Sequence, residues 1–157
     1  MQLTRFADYS LRALIYLAHR EGLNTTIQEI ASAHRISKSH LMKVIHNLSR
    51  QGYVRTTRGK GGGIALAHAP AKILIGKVIR DVQPIAPAEC FNANYPGGCL
   101  LYPNCGLRAP LRSAQLRFLE TLDAYSIGDV MGRTPQLGGK GQASTGRGKP
   151  LRSQHAR

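Results

Sequence analysis

The stretch from Thr26 to Arg50 constrains the fold more tightly than any other part of this 157-residue chain. Thr26 is followed three residues later by Glu29, a capping box in which the hydroxyl takes the Glu29 amide and the carboxylate returns to the Thr26 amide. A helix therefore starts here and runs through Ile30 and Ala31 to about His34. A tight connection through Arg35 and Ile36 leads to Ser37, a good N-cap. Leu41, Val44, Ile45 and Leu48 then fall at i, i+3, i+4 and i+7, the buried stripe of a second helix.

The other face of that second helix is basic and amide-rich. His40, Lys43, Asn47 and Arg50 recur at three- and four-residue steps, Lys38 and Ser39 occupy the first turn, and no acid interrupts them. Two helices joined by a short turn, the second with such a face, have the layout of a helix-turn-helix whose second helix enters the major groove. Asparagine can read adenine bidentately, and lysine can reach guanine or phosphate. The competing reading is an ordinary solvated face, and the residues that follow weigh against it.

After Gly52, the run Tyr53-Val54-Arg55-Thr56-Thr57 has strand character, and Ile64-Ala65-Leu66 can return as its partner. Between them lies Arg58-Gly59-Lys60-Gly61-Gly62-Gly63. A phosphate-binding P-loop needs Ser or Thr after Gly-Lys and then a helix; here glycine and strand residues follow. A hairpin wing fits instead, with Arg58 and Lys60 at a tip that can reach phosphates or the minor groove. Upstream, Phe6, Leu11, Leu14, Ile15 and Ala18 mark a first helix ending near Gly22.

Three cysteines, Cys90, Cys99 and Cys105, crowd into sixteen residues rich in glycine, proline and asparagine, and the chain has no others. An odd count argues against a closed disulfide framework. Arg5 and Asp8 interrupt the opening before an apolar run develops, so no secretory signal is expected there and a reducing cytoplasm is the expected compartment. Core cysteines are common, but a Gly/Pro-rich loop is a poor core element, which favours a metal-thiolate site. Zinc prefers four ligands and short Cys-x2-4-Cys steps, whereas iron-sulfur clusters take thiolates at short and medium spacings. The spacing alone leaves zinc, iron-sulfur and a bare thiol switch open. No His-Glu-x-x-His motif, nucleophile elbow or carboxylate pair accompanies the thiols, so an enzyme is not expected.

Lysine and arginine outnumber acids 22 to 8, a formal charge of +14 that points to a polyanionic partner such as double-stranded DNA. Residues 132–157 carry Arg133, Lys140, Arg147, Lys149, Arg152 and Arg157 with no acid, among glycine, serine and glutamine. They are expected to form a disordered tail, either inert or a non-specific electrostatic arm. No apolar run approaches the roughly 20 residues that cross a bilayer, so no membrane partner is expected. Ile75, Val78, Ile79 and Val82 predict a short linker helix before Pro84 and Pro87. Beyond the cysteines, Pro110 suits a first helical turn, and Leu111, Ala114, Phe118, Leu122 and Tyr125 recur along one side, with Leu116 and Leu119 widening the apolar surface. A helix this apolar in so small a chain is expected to make a homodimer, which doubles the reading head for a palindromic operator.

Four separated segments resemble one known family in order: Met1-Gln2-Leu3-Thr4-Arg5-Phe6-Ala7-Asp8-Tyr9-Ser10-Leu11-Arg12-Ala13-Leu14-Ile15-Tyr16, Arg58-Gly59-Lys60-Gly61-Gly62-Gly63-Ile64, Glu89-Cys90-Phe91-Asn92 and Leu122-Asp123-Ala124-Tyr125. They resemble the NsrR group of nitric-oxide-sensing iron-sulfur repressors, which belongs with the IscR regulators. The resemblance covers residues 1 to about 131. It implies an iron-sulfur cluster on Cys90, Cys99 and Cys105, of the 4Fe-4S type with 2Fe-2S as the alternative, and nitric oxide as the signal. It also implies Asp8 of the partner subunit as fourth ligand, although on residue type alone Asp8 reads as a surface or capping acid. IscR-like proteins place a histidine three residues after the last cysteine; Arg108 stands there in this chain, which favours the NsrR branch. The expected fold is mainly α with a small β-hairpin. A winged helix-turn-helix and linker helix (1–83) precede a cluster loop (84–109), a long dimerisation helix with a short C-terminal helix (110–131), and the tail (132–157).

Overall fold

The structure is a computed structural model that describes residues 2–59, 61–92, 94–102 and 104–132. The expected tail from residue 133 onward and the wing-tip Lys60 lie outside the described residues. Helix α1 (Arg5–His19) starts where the Thr4 hydroxyl accepts the Ala7 amide, and it buries Ala7, Ser10, Ala13, Leu14, Tyr16, Leu17 and Ala18. Helix α2 (Ile27–His34) carries the full capping box of Thr26 and Glu29, whose carboxyl is held below its usual range by the Thr26 backbone and hydroxyl.

The connection to helix α3 (Lys38–Arg50) turns on Arg35, which adopts the left-handed conformation at φ 53° while its amide bonds back to Ala31 and Ser32. Ser37 then caps α3 by accepting the His40 amide. Leu41, Val44, Ile45 and Leu48 are all buried, and they form one core with α1, α2 and the wing.

Strands β1 (Val54–Thr57) and β2 (Gly63–Leu66) pair antiparallel, with Val54 opposite Leu66 and Thr57 opposite Gly63. Val54 and Ile64 point into the core, which anchors the hairpin while its tip projects outward. The tip demands glycine: a Cβ at Gly62 would stand 2.2 Å from the Thr57 carbonyl oxygen. Helix α4 (Ile75–Val82) buries Val78 and Ile79.

Helix α5 (Arg108–Asp123) places Pro110 in its first turn, as the sequence predicts. Tyr125, which the apolar spacing extends onto the same helix, lies beyond its end. The Tyr125 carbonyl instead accepts the Ile75 amide at 2.9 Å, and that bond turns the chain back toward the first domain. Helix α6 (Ile127–Met131), capped by Ser126 and Asp129, returns to the same core, with Ile127 fully buried. Along α5 only Leu119 is buried; Leu111, Phe118 and Leu122 are half-buried and Leu116 is exposed.

Candidate functional site

Two features carry chemistry: the outer face of α3 with the wing, and the loop that holds the cysteines. On α3, the buried stripe fixes which residues face outward. Opposite Leu41, Val44, Ile45 and Leu48 on a 3.6-residue period stand Ser39, Lys43, His46 and Arg50, all outside the core and Lys43, His46 and Arg50 exposed. Lys38 and His40 are also exposed. Asn47 sits to the side of that centre line. It is only half exposed, and its Oδ1 is withdrawn from solvent without a hydrogen-bond partner among the described residues.

The structure therefore adds His46 to the expected set, a residue whose position could have been found by phasing the outer face against the buried stripe. It adds Arg5 as well. A largely apolar cleft between the first turns of α1 and the outer side of α3 is lined by Arg5, Phe6, Tyr9, His40, Lys43 and Val44. This brings a third basic side chain beside two of the expected DNA-reading residues. Arg58 is exposed at the wing, on the strand-to-turn junction after Thr57. Arg55, Thr56 and Thr57 are exposed along β1, so the hairpin presents polar groups as well as its tip.

Polar junctions at α4 tie the reading head to the rest of the chain. Asp81 on α4 accepts the Tyr53 hydroxyl and the Lys77 ammonium. Burial works against the Asp81 carboxylate, but the hydrogen bonds from Lys77 and Tyr53 and the charges of Lys77 and Arg80 hold its pKa below the usual range. The same site raises the Tyr53 phenol, chiefly through burial and then through its bond to Asp81. The Gln51 side chain, just past α3, donates to the Asp81 carbonyl at 3.4 Å. One residue before Asp81, Arg80 forks onto both oxygens of Asp123 at 2.7 and 2.8 Å, joining α4 to the end of α5. This bond lowers the Asp123 pKa and raises that of Arg80. Gly76 lets the two helices approach, since a Cβ there would meet the Asp123 carboxyl at 2.3 Å.

All three cysteines are free. Cys90 lies in a 3-10 turn, Glu89–Phe91, and is half-buried; Cys99 is exposed after Gly97 and Gly98, both at positive φ; Cys105 is half-buried three residues before α5. Within one chain the three thiols do not converge on a point, and no group of three or more metal-binding side chains occurs among the described residues. The donor chemistry nevertheless suits a thiolate-bound metal centre. The thiols are unpaired, two sequential glycines bend the loop, and thiol sulfur is the soft donor that such centres take.

The loop has its own framework. The Tyr95 hydroxyl accepts the Cys99 amide at 2.9 Å, the Tyr102 amide donates to the Cys99 carbonyl at 3.1 Å, and the Arg108 amide donates to the Cys105 carbonyl at 3.1 Å. The rings of Tyr95 and Tyr102 meet at 5.2 Å between centroids. Asp8, expected as a ligand from the partner subunit, is engaged within its own helix by Arg12 at 2.8 Å and is partly exposed. No helix among the described residues is long and apolar enough to cross a membrane.

Comparison with known proteins agrees with this arrangement. The chain is 47% identical over 133 residues to the HTH-type transcriptional regulator NsrR of Bacillus subtilis, covering 83% of this chain and 90% of the relative. It is 44% identical to the protein of the same description from Geobacillus kaustophilus, over 83% of this chain and 90% of that one. Among solved structures, CymR, the global cysteine regulator of B. subtilis, superposes with a TM-score of 0.69 at 24% identity, covering 86% of this chain and 99% of that one. T. potens IscR does so with a TM-score of 0.69 at 20% identity over 93% and 94%, so both share the fold. Residues 3–133 match the Rrf2 family, described as an iron-dependent transcriptional regulator. The chain thus belongs to the Rrf2 family, whose members are DNA-binding transcriptional regulators and not enzymes.

Proposed function

We propose that this regulator is a nitric-oxide-responsive repressor, working in the cytoplasm as a homodimer on palindromic operator DNA, with its operator affinity set by an iron-sulfur cluster. The observation that carries this reading is the loop of three free thiols that ends at the start of α5, in a chain of an iron-dependent family. The relatives at 44 to 47% identity carry the name NsrR, which supports the nitric-oxide reading over a structural zinc or an IscR-like role.

Cys90, Cys99 and Cys105 would hold the cluster, with Asp8 of the partner subunit as the fourth ligand and the 4Fe-4S type as the proposed form. When bound, the cluster supplies iron that a small diatomic ligand can attack. Arg12 engages only Oδ1 of Asp8, so Oδ2 would be the ligating oxygen while the ion pair within α1 orients the carboxylate. A carboxylate is a harder and weaker donor than a thiolate, so the Asp8 position is the one most easily surrendered.

The dimer contact is assigned to α5, because Leu111, Leu116, Phe118 and Leu122 give it an apolar surface that this chain's own core does not fully bury. Two copies joined there would set the spacing of two α3 helices, with Lys38, Ser39, His40, Lys43, Asn47, Arg58 and Lys60 facing the operator. A change at the cysteine loop has a continuous route to those helices. It passes from α5 through Asp123 and Arg80 to α4, then through Asp81 to Tyr53 and Gln51 at the junction of α3 and the wing. A tenfold change in operator affinity needs only about 1.4 kcal/mol between the two states.

Anaerobic reconstitution with iron and sulfide analysis tests the reading. The full chain is expected to turn brown and to hold iron and sulfide, and Cys→Ala at any of the three positions is expected to abolish or severely destabilise that uptake. Asp8→Ala should be milder, altering stability while a cluster still forms. A colourless protein that takes up zinc alone would replace the iron-sulfur reading with a structural metal.

A further inference from the structure

A half-buried cation closes the cysteine loop where it meets α5. Arg108 is the first residue of α5, three residues after Cys105, and it is half-buried. Its guanidinium carbon lies 5.6 Å from the centroid of the Phe91 ring and 5.2 Å from that of Tyr102. Guanidinium stacks on aromatic faces at such distances, and the attraction strengthens where water is excluded.

The two rings are the flanks of the other two thiols. Phe91 follows Cys90 directly, and the Tyr102 amide is bonded to the Cys99 carbonyl. The Arg108 backbone in turn is bonded to the Cys105 carbonyl. One residue therefore contacts the local frame of all three cysteines. The same side chain lines an open cleft of about 470 Å³ with Phe91, Asn104, Cys105, Ala109 and Arg112, a volume on the scale of ligand sites. Two arginines and no acid line it, beside a half-buried thiol.

We propose that Arg108 is the positioning residue of the cluster loop: clasped by Phe91 and Tyr102, it holds the segments bearing Cys90 and Cys99 against the helix start after Cys105 and sets a fixed positive charge beside the thiolates. The inference rests on the cluster reading of the three cysteines. Three thiolates and a carboxylate concentrate negative charge in one place, and a nearby cation offsets their mutual repulsion. The clasp also spares the loop part of the ordering entropy that gathering three separated thiols would otherwise require. Lysine cannot substitute fully, because an ammonium lacks the planar face that meets both rings.

The test compares full-length wild type, Arg108→Gln and Arg108→Lys after anaerobic reconstitution with iron and sulfide. Two properties are read: the rate at which an iron chelator strips the cluster, and the cluster's midpoint potential. Arg108→Gln is expected to lose iron on the order of 10- to 100-fold faster, the range found when an outer partner of a metal ligand is removed. Its potential should move to a more negative value, because a cation beside the cluster favours the state with more electrons. Arg108→Lys should restore the potential but only part of the retention, a split that loosening of the fold alone would not produce. If wild type takes up no iron, the cluster reading falls and this inference with it. If wild type loads and Arg108→Gln matches it in both retention and potential, the role of Arg108 is overturned while the cluster stands. Should Arg108→Gln fail to fold, Arg108→Lys decides: retention equal to wild type would remove the clasp.

Discussion

At the scale of single residues, the outer face of α3 separates groups proposed to read DNA from groups that hold the helix. Lys43 stands at the centre of that face and beside Arg5, so Lys43→Ala is expected to cost about 1 to 3 kcal/mol of operator affinity if it meets a base. Arg58→Ala at the wing should weaken binding to all sequences alike and reduce the salt slope by about 1. Asn47 is set apart by its buried, unpartnered side-chain carbonyl oxygen, so Asn47→Ala should affect thermal stability together with affinity. Fluorescence anisotropy with operator and scrambled DNA at several salt concentrations separates these effects. A folded Lys43/Asn47/Arg58 triple-alanine variant with unaltered operator binding would contradict the placement. The capping box, the Ser37 cap and the buried stripe of α3 were legible in the sequence because each depends on residues within one or two turns. The phase of the outer face was less so: a three- and four-residue repeat runs through His40, Lys43 and Asn47 as readily as through Ser39, Lys43 and His46, and only the direction of the core distinguishes them.

At the scale of elements, the joint between α4 and α5 is the one on which the proposed transmission depends. Arg80 and Asp123 form a forked pair that is partly exposed, so its direct contribution to stability is expected to be about 1 kcal/mol or less. Its sign with pH is fixed by the lowered Asp123 pKa. The contribution is present above the ordinary value of 3.8 and is lost as pH falls through the lower folded value. Asp123→Asn should therefore lower the thermal midpoint near neutral pH and flatten the loss of stability below about pH 4, which thermal melts across that range will show. An acid profile identical to wild type would remove Asp123 from the set of groups that titrate with folding. Neither this joint nor the bond from Tyr53 to Asp81 could be read from the sequence, since the partners are 43 and 28 residues apart and nothing local selects them. The end of α5 differs from the sequence expectation for a related reason. Apolar spacing continues to Tyr125, but α5 ends at Asp123, and the Tyr125 carbonyl bonds to the Ile75 amide just before α6 begins.

At the scale of the whole molecule, a basic winged reading head and a cysteine loop share one chain and are joined by α4 and α5. The sequence disclosed both ends, because the charge pattern of α3 and the wing and the cluster of cysteines are each contained in a short segment. It did not disclose the stacking of Arg108 on Phe91 and Tyr102, which forms only after the chain has folded back. In the proposed mechanism, chemistry at the thiol-bound cluster changes geometry at the operator. Anaerobic titration of cluster-loaded protein with nitric oxide, with absorbance and operator binding followed in parallel on the same samples, tests it most directly. The cluster absorbance and the bound fraction are expected to fall together, with at least about a tenfold loss of affinity at the end point. A spectrum that changes fully while the protein stays bound to its operator would contradict it.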